Sequence, residues 1–239
     1  MTAMWVIVPA YNEAARIGAT LAALAAQTDR DFTLLVVDNG STDGTAEIAR
    51  AAGAEILVER DKGVGCAVDT GFRYAISHGA VYLARTDADC LPRPDWLAAA
   101  RTSFAAGAGL VCGRITARRD EHRRPGRAIF ATLVWLAAAF GRLRPAHREA
   151  GYLAPYRMHA GNNMAITAEL YEACGGMPRR PSPTDRAFLN RVRRTTAEIV
   201  HARSMVVENS TRRLRAYGVV GTAKWYLDRG SGTRPADPR

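Results

Sequence analysis

The stretch Leu83-Ala84-Arg85-Thr86-Asp87-Ala88-Asp89-Cys90 decides the fold, because the apolar run 80–84 ends there in two carboxylates. Parallel strands that are buried on both faces read as apolar runs, and ligands of open α/β sheets bind just beyond the carboxyl ends of such strands. Residues two apart in an extended segment point to the same side. We therefore expect Asp87 and Asp89 to face one ligand, where two hard oxygen donors suit Mg²⁺ or Mn²⁺. The alternative interpretation is an Asp-rich turn that closes the strand.

Three further apolar segments precede this strand. Residues 4–9, 32–37 and 55–58 each read as a short buried strand, and a helical period separates one from the next. This β-α-β-α-β order within about 60 residues predicts an α/β fold with a parallel sheet.

Two helix starts are predicted from local sequence. Asn12 is the expected N-cap of the first helix. Ser41 or Thr42 is the expected N-cap of the second, with Asp43 favourably placed in its first turn.

A Gly-rich turn, Lys62-Gly63-Val64-Gly65, opens the third predicted helix, which runs to about residue 77. Its glycines allow the backbone to approach a ligand closely, and a helix N-terminus favours an anion. A plain turn explains the same residues, so both interpretations stay open.

The later elements follow from periodicity and from turn residues. Predicted helices cover residues 92–106, 128–140, 168–174, 184–194 and 217–227, predicted strands cover 109–115, part of 160–166, 200 and 205–207, and the residues from 230 onward are expected to be frayed. Thr184 is the expected N-cap of its helix, which places Asp185 in the first turn.

The length and composition are those of a globular protein with one large domain, or with one domain and a small appendix. The chain has 239 residues, of which 48% are hydrophobic and 23% charged, and its formal net charge is +10. A basic surface can meet nucleic acid, anionic lipid or phosphorylated small molecules. The arginines are not interleaved with aromatic residues as a stacking platform for nucleic acid would require, so we expect no nucleic-acid partner.

An apolar run over residues 128–140 is bordered by arginines, among them Arg124 and Arg127 before it and Arg142 after it. Its length is too short to span a bilayer. A helix packed on the sheet is one interpretation, a helix lying among lipid headgroups is a second, and contact with another subunit is a third.

The four cysteines predict reduced thiols, because Cys66, Cys90, Cys112 and Cys174 contain no CxxC pair. The sequence shows no signal-peptide pattern and no apolar stretch of transmembrane length. We therefore expect a cytoplasmic location, with the inner face of the membrane as an alternative.

Five segments carry a family pattern in their order and spacing. They are Val6-Ile7-Val8-Pro9-Ala10-Tyr11-Asn12-Glu13, Val36-Val37-Asp38-Asn39-Gly40-Ser41-Thr42-Asp43-Gly44-Thr45, Asp87-Ala88-Asp89, Gly161-Asn162-Asn163-Met164-Ala165-Ile166 followed by Gly175-Gly176-Met177, and Thr184-Asp185-Arg186-Ala187-Phe188-Leu189. Together they resemble the glycosyltransferases of family 2, which have the GT-A fold. Each segment is weak alone, and the five in order are specific.

This resemblance implies a Rossmann-like α/β fold with a mostly parallel central sheet flanked by helices. Residues 1–115 would form the half that binds a nucleotide sugar, residues 116–229 an acceptor-binding half that includes the apolar helix 128–141, and residues 230–239 a flexible tail. It implies an enzyme that uses Mn²⁺ or Mg²⁺ and a UDP-, dTDP- or GDP-linked sugar. The acceptor would be a hydroxyl, for example on a lipid-linked or cell-envelope glycan.

The resemblance also implies site roles. Nucleotide binding would fall to Pro9, Tyr11, Glu13, Asp38, Asn39, Lys62 and Asp87, metal binding to Asp89 and Asp87, acceptor binding to Gly161, Asn162 and Asn163, and general-base catalysis to Asp185. A hydroxyl is a poor nucleophile unless a base takes its proton, and a helix N-terminus favours an ionised carboxylate. One base opposite the leaving group implies a single displacement with inversion. A simple helix-cap role is the alternative for Asp185.

Three positions depart from the family pattern. Asn39 stands where a second acid is common, Thr184 replaces an acid beside Asp185, and Glu208 follows the late strand where many relatives have histidine. The nucleobase therefore stays open, and so does the third metal ligand, for which His159, His201 or no protein residue are the alternatives.

Two other functions compete. A sugar-phosphate nucleotidyltransferase needs a Gly-rich phosphate loop after the first strand, and the chain has Pro9-Ala10-Tyr11-Asn12 there. A nucleotide-sugar-binding protein without catalysis would not need Asp87, Asp89 and Asp185 together.

Overall fold

The computed structural model describes residues 3–121, 124–143, 151–179, 184–212, 214–218 and 221. These residues form one eight-stranded sheet flanked by helices. The strands are β1 (Met4–Ala10), β2 (Thr33–Asp38), β3 (Glu55–Val58), β4 (Tyr82–Thr86), β5 (Leu91–Pro92), β6 (Leu110–Ala117), β7 (Asn163–Thr167) and β8 (Ile199–Asn209). The helices are α1 (Ala14–Ala25), α2 (Thr45–Ala51), α3 (Val64–Ser77), α4 (Trp96–Ala105), α5 (Arg124–Leu143), α6 (Ala168–Ala173) and α7 (Thr184–Thr195).

The sheet has the order β3-β2-β1-β4-β7-β6-β8-β5. Strands β1 to β4 are mutually parallel where they pair, and β6 is parallel to β8. Strand β7 is antiparallel to both of its neighbours, β4 and β6, and β5 is antiparallel to β8. The predicted mostly parallel α/β fold is confirmed.

Both faces of the sheet are covered, which explains why its central strands read as apolar runs. Side chains alternate between the faces, so Val6 packs in one layer with Leu21 and Trp96. Its neighbour Ile7 packs in the opposite layer with Phe72. The parallel strand ends are therefore held rigidly between two helical layers.

The predicted caps of the first two helices were wrong. Helix α1 follows Glu13, and α2 follows Gly44. Asn12 instead has φ +53°, a left-handed conformation that asparagine tolerates better than most residues. Asn12 and Ser41 instead bond across the two preceding turns. Asp43 accepts both from the N–H of Thr45, the first residue of α2 (3.1 Å), and from the N–H of Ala14, the first residue of α1 (3.1 Å).

Other element boundaries also moved. The helix predicted from residue 92 begins at Trp96, because Leu91–Pro92 pairs with β8 as the short strand β5. The two late strand segments form one strand, β8, with an irregularity opposite Gly113 and Arg114. Most of the predicted helix 217–227, and the whole tail 230–239, lie outside the described residues.

Close packing explains one glycine of the Gly-rich turn. A Cβ on Gly65 would lie 2.4 Å from the carbonyl oxygen of Pro178 and 2.7 Å from Cγ2 of Thr184. The first turn of α3 is thus pressed against the start of α7. This contact brings Asp185 to the side of the sheet where the predicted donor residues lie.

Candidate active site

Three parallel strands bring the predicted donor residues to one edge of the sheet. Pro9 and Ala10 close β1, and Ala10 lies opposite Asp38, the last residue of β2. Strand β4 ends beside them at Thr86, so Asp87 follows directly. Because α/β sheets bind ligands at the carboxyl ends of parallel strands, this edge is the candidate active site.

The turns after β1 and β2 hold each other in place. The main-chain N–H of Asn12 donates to Ser41 Oγ (2.9 Å), and that of Thr42 donates to Asn12 Oδ1 (2.8 Å). The main-chain N–H of Ser41 lies 3.2 and 3.3 Å from the two carboxylate oxygens of Asp38. Asp38 therefore also shapes the turn that follows its own strand.

Asn39 fixes the loop between β3 and α3. Its buried Nδ2 donates to the carbonyl oxygens of Glu59 (2.9 Å) and Asp61 (2.8 Å), and its Oδ1 accepts from the N–H of Gly63 (2.8 Å). Both amide hydrogens are therefore used within the chain. This positioning role was not predicted from the sequence.

Lys62 and Tyr11 form one exposed side of this edge. The Nζ of Lys62 donates to the carbonyl oxygens of Asn39 (2.8 Å) and Gly40 (3.1 Å) and lies 3.9 Å from the centroid of the Tyr11 ring. The contact is a cation–π interaction. An ammonium beside an aromatic face suits a ligand with both phosphate and ring groups.

Arg212 enters the site from the segment after β8. Its Nη1 donates to both carboxylate oxygens of Glu13 (2.7 and 2.9 Å), and its Nη2 lies 3.5 Å from Oδ2 of Asp89. Burial raises the pKa of Glu13, and Arg212 partly offsets that rise. The segment is held in turn by Glu121, which accepts from the N–H of Thr211 (2.6 Å). Arg212 was not predicted from the sequence, because no local pattern marks it.

Asp87 and Asp89 keep acceptor positions that suit a divalent cation. Oδ1 of Asp87 accepts from Arg85, and its Oδ2 accepts no hydrogen bond from any described residue. Oδ1 of Asp89 accepts from the thiol of Cys90 (3.3 Å). Within the described ranges, no cluster of three or more His, Cys, Asp or Glu could hold a metal. This donor set fits Mg²⁺ or Mn²⁺ that completes its shell with phosphate oxygens and water.

Arg85 joins the two sides of the site. Its side chain is 2% exposed, and its Nε and Nη2 donate to Oδ1 of Asp87 (3.1 and 3.0 Å). Its Nη1 donates to Oδ1 of Asp185 (2.9 Å). Burial disfavours the charged guanidinium, but the two carboxylates outweigh burial and raise the pKa of Arg85. This role was not predicted from the sequence, although a charged residue inside an apolar strand was a signal for it.

Gly161 lies directly against the predicted base. A Cβ on Gly161 would lie 2.2 Å from both Cγ and Oδ1 of Asp185, so no side chain fits there. His159 belongs to the same neighbourhood. Its pKa is lowered to about 4, chiefly by burial, with a further lowering by His201 and an opposing contribution from Asp185. His159 is therefore neutral at pH 7.

The predicted acceptor residues Asn162 and Asn163 differ in their surroundings. Asn163 is fully buried; its Oδ1 accepts from the indole N–H of Trp96 (2.8 Å), and its Nδ2 donates to the carbonyl oxygens of Arg114 (2.9 Å) and Met205 (3.1 Å). These bonds tie strands together and leave Asn163 no face toward a ligand. Asn162 is half-buried, and its Nδ2 donates to Cys90 Sγ (3.3 Å).

All four cysteines are buried and form no disulfide. Burial raises the pKa of Cys90 well above its ordinary value, with smaller contributions from Asp89 and Asp87. Cys90 is therefore a neutral thiol that supports Asp89, and no nucleophilic role is assigned to it.

Comparison with known families gives a match over most of this fold. The family model for Glycosyl transferase family 2 matches residues 5–165. A glycosyltransferase of Haloferax volcanii, AglE, is 42% identical over 119 residues, which are 46% of this chain and 38% of that protein. An uncharacterised glycosyltransferase of Mycobacterium bovis is 38% identical over 112 residues, which are 47% of this chain and 48% of that protein. The matched segments thus span less than half of either relative.

Solved structures extend the similarity to nearly the whole chain. A mannosyltransferase of Pyrobaculum calidifontis, in complex with GDP-mannose and Mn²⁺, has a TM-score of 0.65 at 25% identity, covering 98% of this chain and 66% of that one. Glucosyl-3-phosphoglycerate synthase of Mycobacterium tuberculosis has a TM-score of 0.56 at 22% identity, covering 92% and 76%. The second similarity concerns the fold alone.

Proposed function

Because the chain belongs to glycosyl transferase family 2, we propose that it transfers a sugar from a nucleotide-diphosphate sugar to an acceptor hydroxyl. The observation that carries the proposal is the convergence of Asp87, Asp89 and Asp185 on one edge of the sheet, with Asp87 and Asp185 bound to the same guanidinium. Carboxylates in this arrangement can hold a cation for a diphosphate and take a proton from a hydroxyl.

The proposed donor is a sugar linked to UDP, dTDP or GDP. The GDP-mannose complex of the Pyrobaculum enzyme supports this class of donor. Residues 1–115 would form the donor half, with a nucleotide pocket lined by Pro9, Tyr11, Glu13, Asp38 and Lys62. Both side-chain amide hydrogens of Asn39 are used within the chain. Only its side-chain oxygen, Oδ1, could therefore contact the nucleobase.

The proposed metal is Mn²⁺ or Mg²⁺, held by Asp89 with Asp87. When bound, it would supply Lewis-acid stabilisation of the departing diphosphate. Arg212 already touches Asp89 and Glu13, and a guanidinium fork binds phosphate oxygens well. We assign Arg212 to the neutralisation of the leaving diphosphate.

Asp185 is the proposed general base of the acceptor half, residues 116–229. Its carboxylate is 39% exposed beside Gly161, so a hydroxyl can reach it from solvent. Asn162 lies one residue further along and is the remaining polar candidate for acceptor binding. A single base opposite the leaving group supports one in-line displacement, with inversion at the anomeric carbon.

The surface of helix α5 is evidence that the acceptor is associated with a membrane, for example as a lipid-linked glycan. Trp135 (67% exposed) and Leu136 (49% exposed) project from it, and no residue between 128 and 139 is charged. None of the helices in the described part of the chain is long and apolar enough to cross a membrane. We therefore propose that α5 lies on anionic lipid at the cytoplasmic face of the membrane.

The donor test is calorimetric binding of GDP, UDP and dTDP, each with Mn²⁺, with Mg²⁺ and with chelator. We expect one nucleotide to bind in a metal-dependent way and Asp89→Ala to abolish that dependence. Asp185→Asn should keep this binding but release the nucleoside diphosphate from the matching nucleotide sugar about 100-fold more slowly or worse. Asp31→Asn, at the amino edge of the sheet, is the matched control and should behave as the unaltered protein.

Each outcome separates the competing functions. Near-normal release by Asp185→Asn would remove Asp185 from the mechanism. Metal-dependent binding without release from any of the three nucleotide sugars would favour a nucleotide-sugar-binding protein. No binding of any nucleoside diphosphate would reject the donor class.

A further inference from the structure

Arg85 is a buried cation in the middle of the sheet. It lies on β4 opposite Ile7 of β1 and Met164 of β7. A buried charge is strongly unfavourable unless it is paired and hydrogen-bonded. The partners of Arg85 must therefore offset the cost of burying its charge.

Its two partners come from the two proposed halves of the site. Asp87 follows β4 on the donor side. Asp185 belongs to the first turn of α7 on the acceptor side, 100 residues after Arg85. Arg85 is almost fully buried, whereas Asp87 and Asp185 are 32% and 39% exposed. The guanidinium therefore holds both carboxylates from below, and their outer sides face the solvent.

The carboxylate of Asp185 is confined from a second direction as well. The backbone at Gly161 approaches it so closely that an added Cβ would lie 2.2 Å from Oδ1, the same oxygen that accepts from Arg85 Nη1. A planar fork can bond two carboxylates at once in fixed directions, which the single ammonium of a lysine does less well.

Building on the proposed function, we propose that Arg85 is the positioning residue that holds the Asp185 carboxylate against Gly161 and ties it to the donor-side Asp87. The proposed base, Asp185, and the donor-side carboxylate, Asp87, then share one cation. The orientation of the Asp185 carboxylate therefore depends on the position of Asp87. A purely structural ion pair would stabilise the fold without affecting the geometry of proton transfer.

The first test is a double-mutant cycle on turnover with Arg85→Met, Asp185→Asn and the double variant. The readout is release of GDP, UDP or dTDP from GDP-mannose, UDP-glucose or dTDP-glucose, which needs only water as acceptor. Arg85→Met should lower kcat about 100-fold, with a much smaller change in KM for the nucleotide sugar. The double variant should be no slower than Asp185→Asn alone, because the two residues act as one unit. Arg85→Lys should restore little of the loss.

Two results of this cycle would overturn the proposal. Losses that multiply in the double variant would mean that Arg85 and Asp185 act independently. Full turnover by Arg85→Lys would mean that a buried charge is sufficient and the fork is not needed.

The second test does not need turnover. The free energy of unfolding in urea is compared for the same three variants, and we expect the double variant to lose less stability than the two single losses added together. Arg85→Met combined with Asp31→Asn is the control pair and should be additive. Additivity in both pairs would overturn the link between Arg85 and Asp185. A non-additive cycle in a protein that releases no nucleotide would reject the proposed function and leave the link in place.

Discussion

Gly161 illustrates how one missing side chain can shape the geometry of the proposed catalytic base, Asp185. An added Cβ would lie 2.2 Å from Cγ of Asp185, and ordinary contact requires at least 3.4 Å. Gly161→Ala should therefore push the carboxylate away by about 1 Å, a displacement that typically costs about 100-fold in rate. The measurement is nucleoside diphosphate release at saturating nucleotide sugar, together with the Kd of the nucleotide, which should stay unchanged.

A matched glycine provides the control. A Cβ on Gly18, inside α1, would meet only Ile48, at 3.9 Å, so Gly18→Ala should keep full turnover and gain about 0.5–1 kcal/mol of stability. If Gly161→Ala turned over as fast as Gly18→Ala, Asp185 would not need its present position.

The sequence predicted some residues of the site and missed others for physical reasons. Asp87 and Asp89 follow an apolar strand, so their placement at the sheet edge depends only on local pattern. Arg212 reaches Glu13 because the segment after β8 lies beside the turn between β1 and α1. Local sequence patterns do not predict such a long-range contact. Asn163 carried the family pattern, but its amide is used inside the sheet.

Asn163 also sets a prediction for the strands around it. Its side chain satisfies the buried indole N–H of Trp96 and the carbonyl oxygens of Arg114 and Met205. Asn163→Ala removes these three hydrogen bonds from buried groups, and a buried donor or acceptor that loses its partner costs about 1–3 kcal/mol. We expect a loss of roughly 3 kcal/mol or more in the free energy of unfolding, measured in urea at pH 7.

The neighbouring asparagine is the control for that loss. Asn162→Ala removes the same amide from a half-buried position with one weak bond to Cys90, so it should cost under about 1 kcal/mol. Equal losses in the two variants would mean that the strands do not depend on the Asn163 amide.

Helices and strands differ in how far the sequence could predict them. The first four strands and α3 were predicted closely. For the inner strands β1, β2 and β4 the signal is burial, which leaves an apolar run that local sequence shows. Strand β3 lies at the sheet edge, where Val58 is 58% exposed, so its apolar residues carried the prediction without full burial. The cap residues were predicted at the wrong positions because Asn12 and Ser41 bond to each other across two turns. That contact depends on tertiary structure, which local sequence does not show. The direction of β7 was also beyond local pattern, since a short buried strand reads the same in either orientation.

For the molecule as a whole, the sheet joins the edge proposed to bind the donor to the side proposed to bind the acceptor. The proposed donor edge is built from parallel strand ends whose turns lock each other, so its geometry is set by the fold. The proposed acceptor side depends on the contact of α7 with α3 at Gly65 and on the Arg85–Asp185 pair. Helix α5 has an uncharged, largely exposed stretch, which agrees with the proposal that the acceptor lies at a membrane surface.

The membrane proposal makes a prediction for the intact protein. Burying Trp135 and Leu136 in a lipid interface contributes about 1.5–3 kcal/mol for each side chain, and nearby arginines add attraction to anionic headgroups. The protein should sediment with vesicles of equal parts phosphatidylglycerol and phosphatidylcholine at low salt, and much less with phosphatidylcholine alone. The double variant Trp135→Glu, Leu136→Glu should bind about 100-fold more weakly or worse.

Val81→Glu, which alters an exposed valine at the amino end of β4, is the control and should bind normally. Failure to sediment with the anionic vesicles, or equal loss in Val81→Glu, would reject a lipid contact through α5, and a dimer in light scattering would then assign this face to a second copy of the chain.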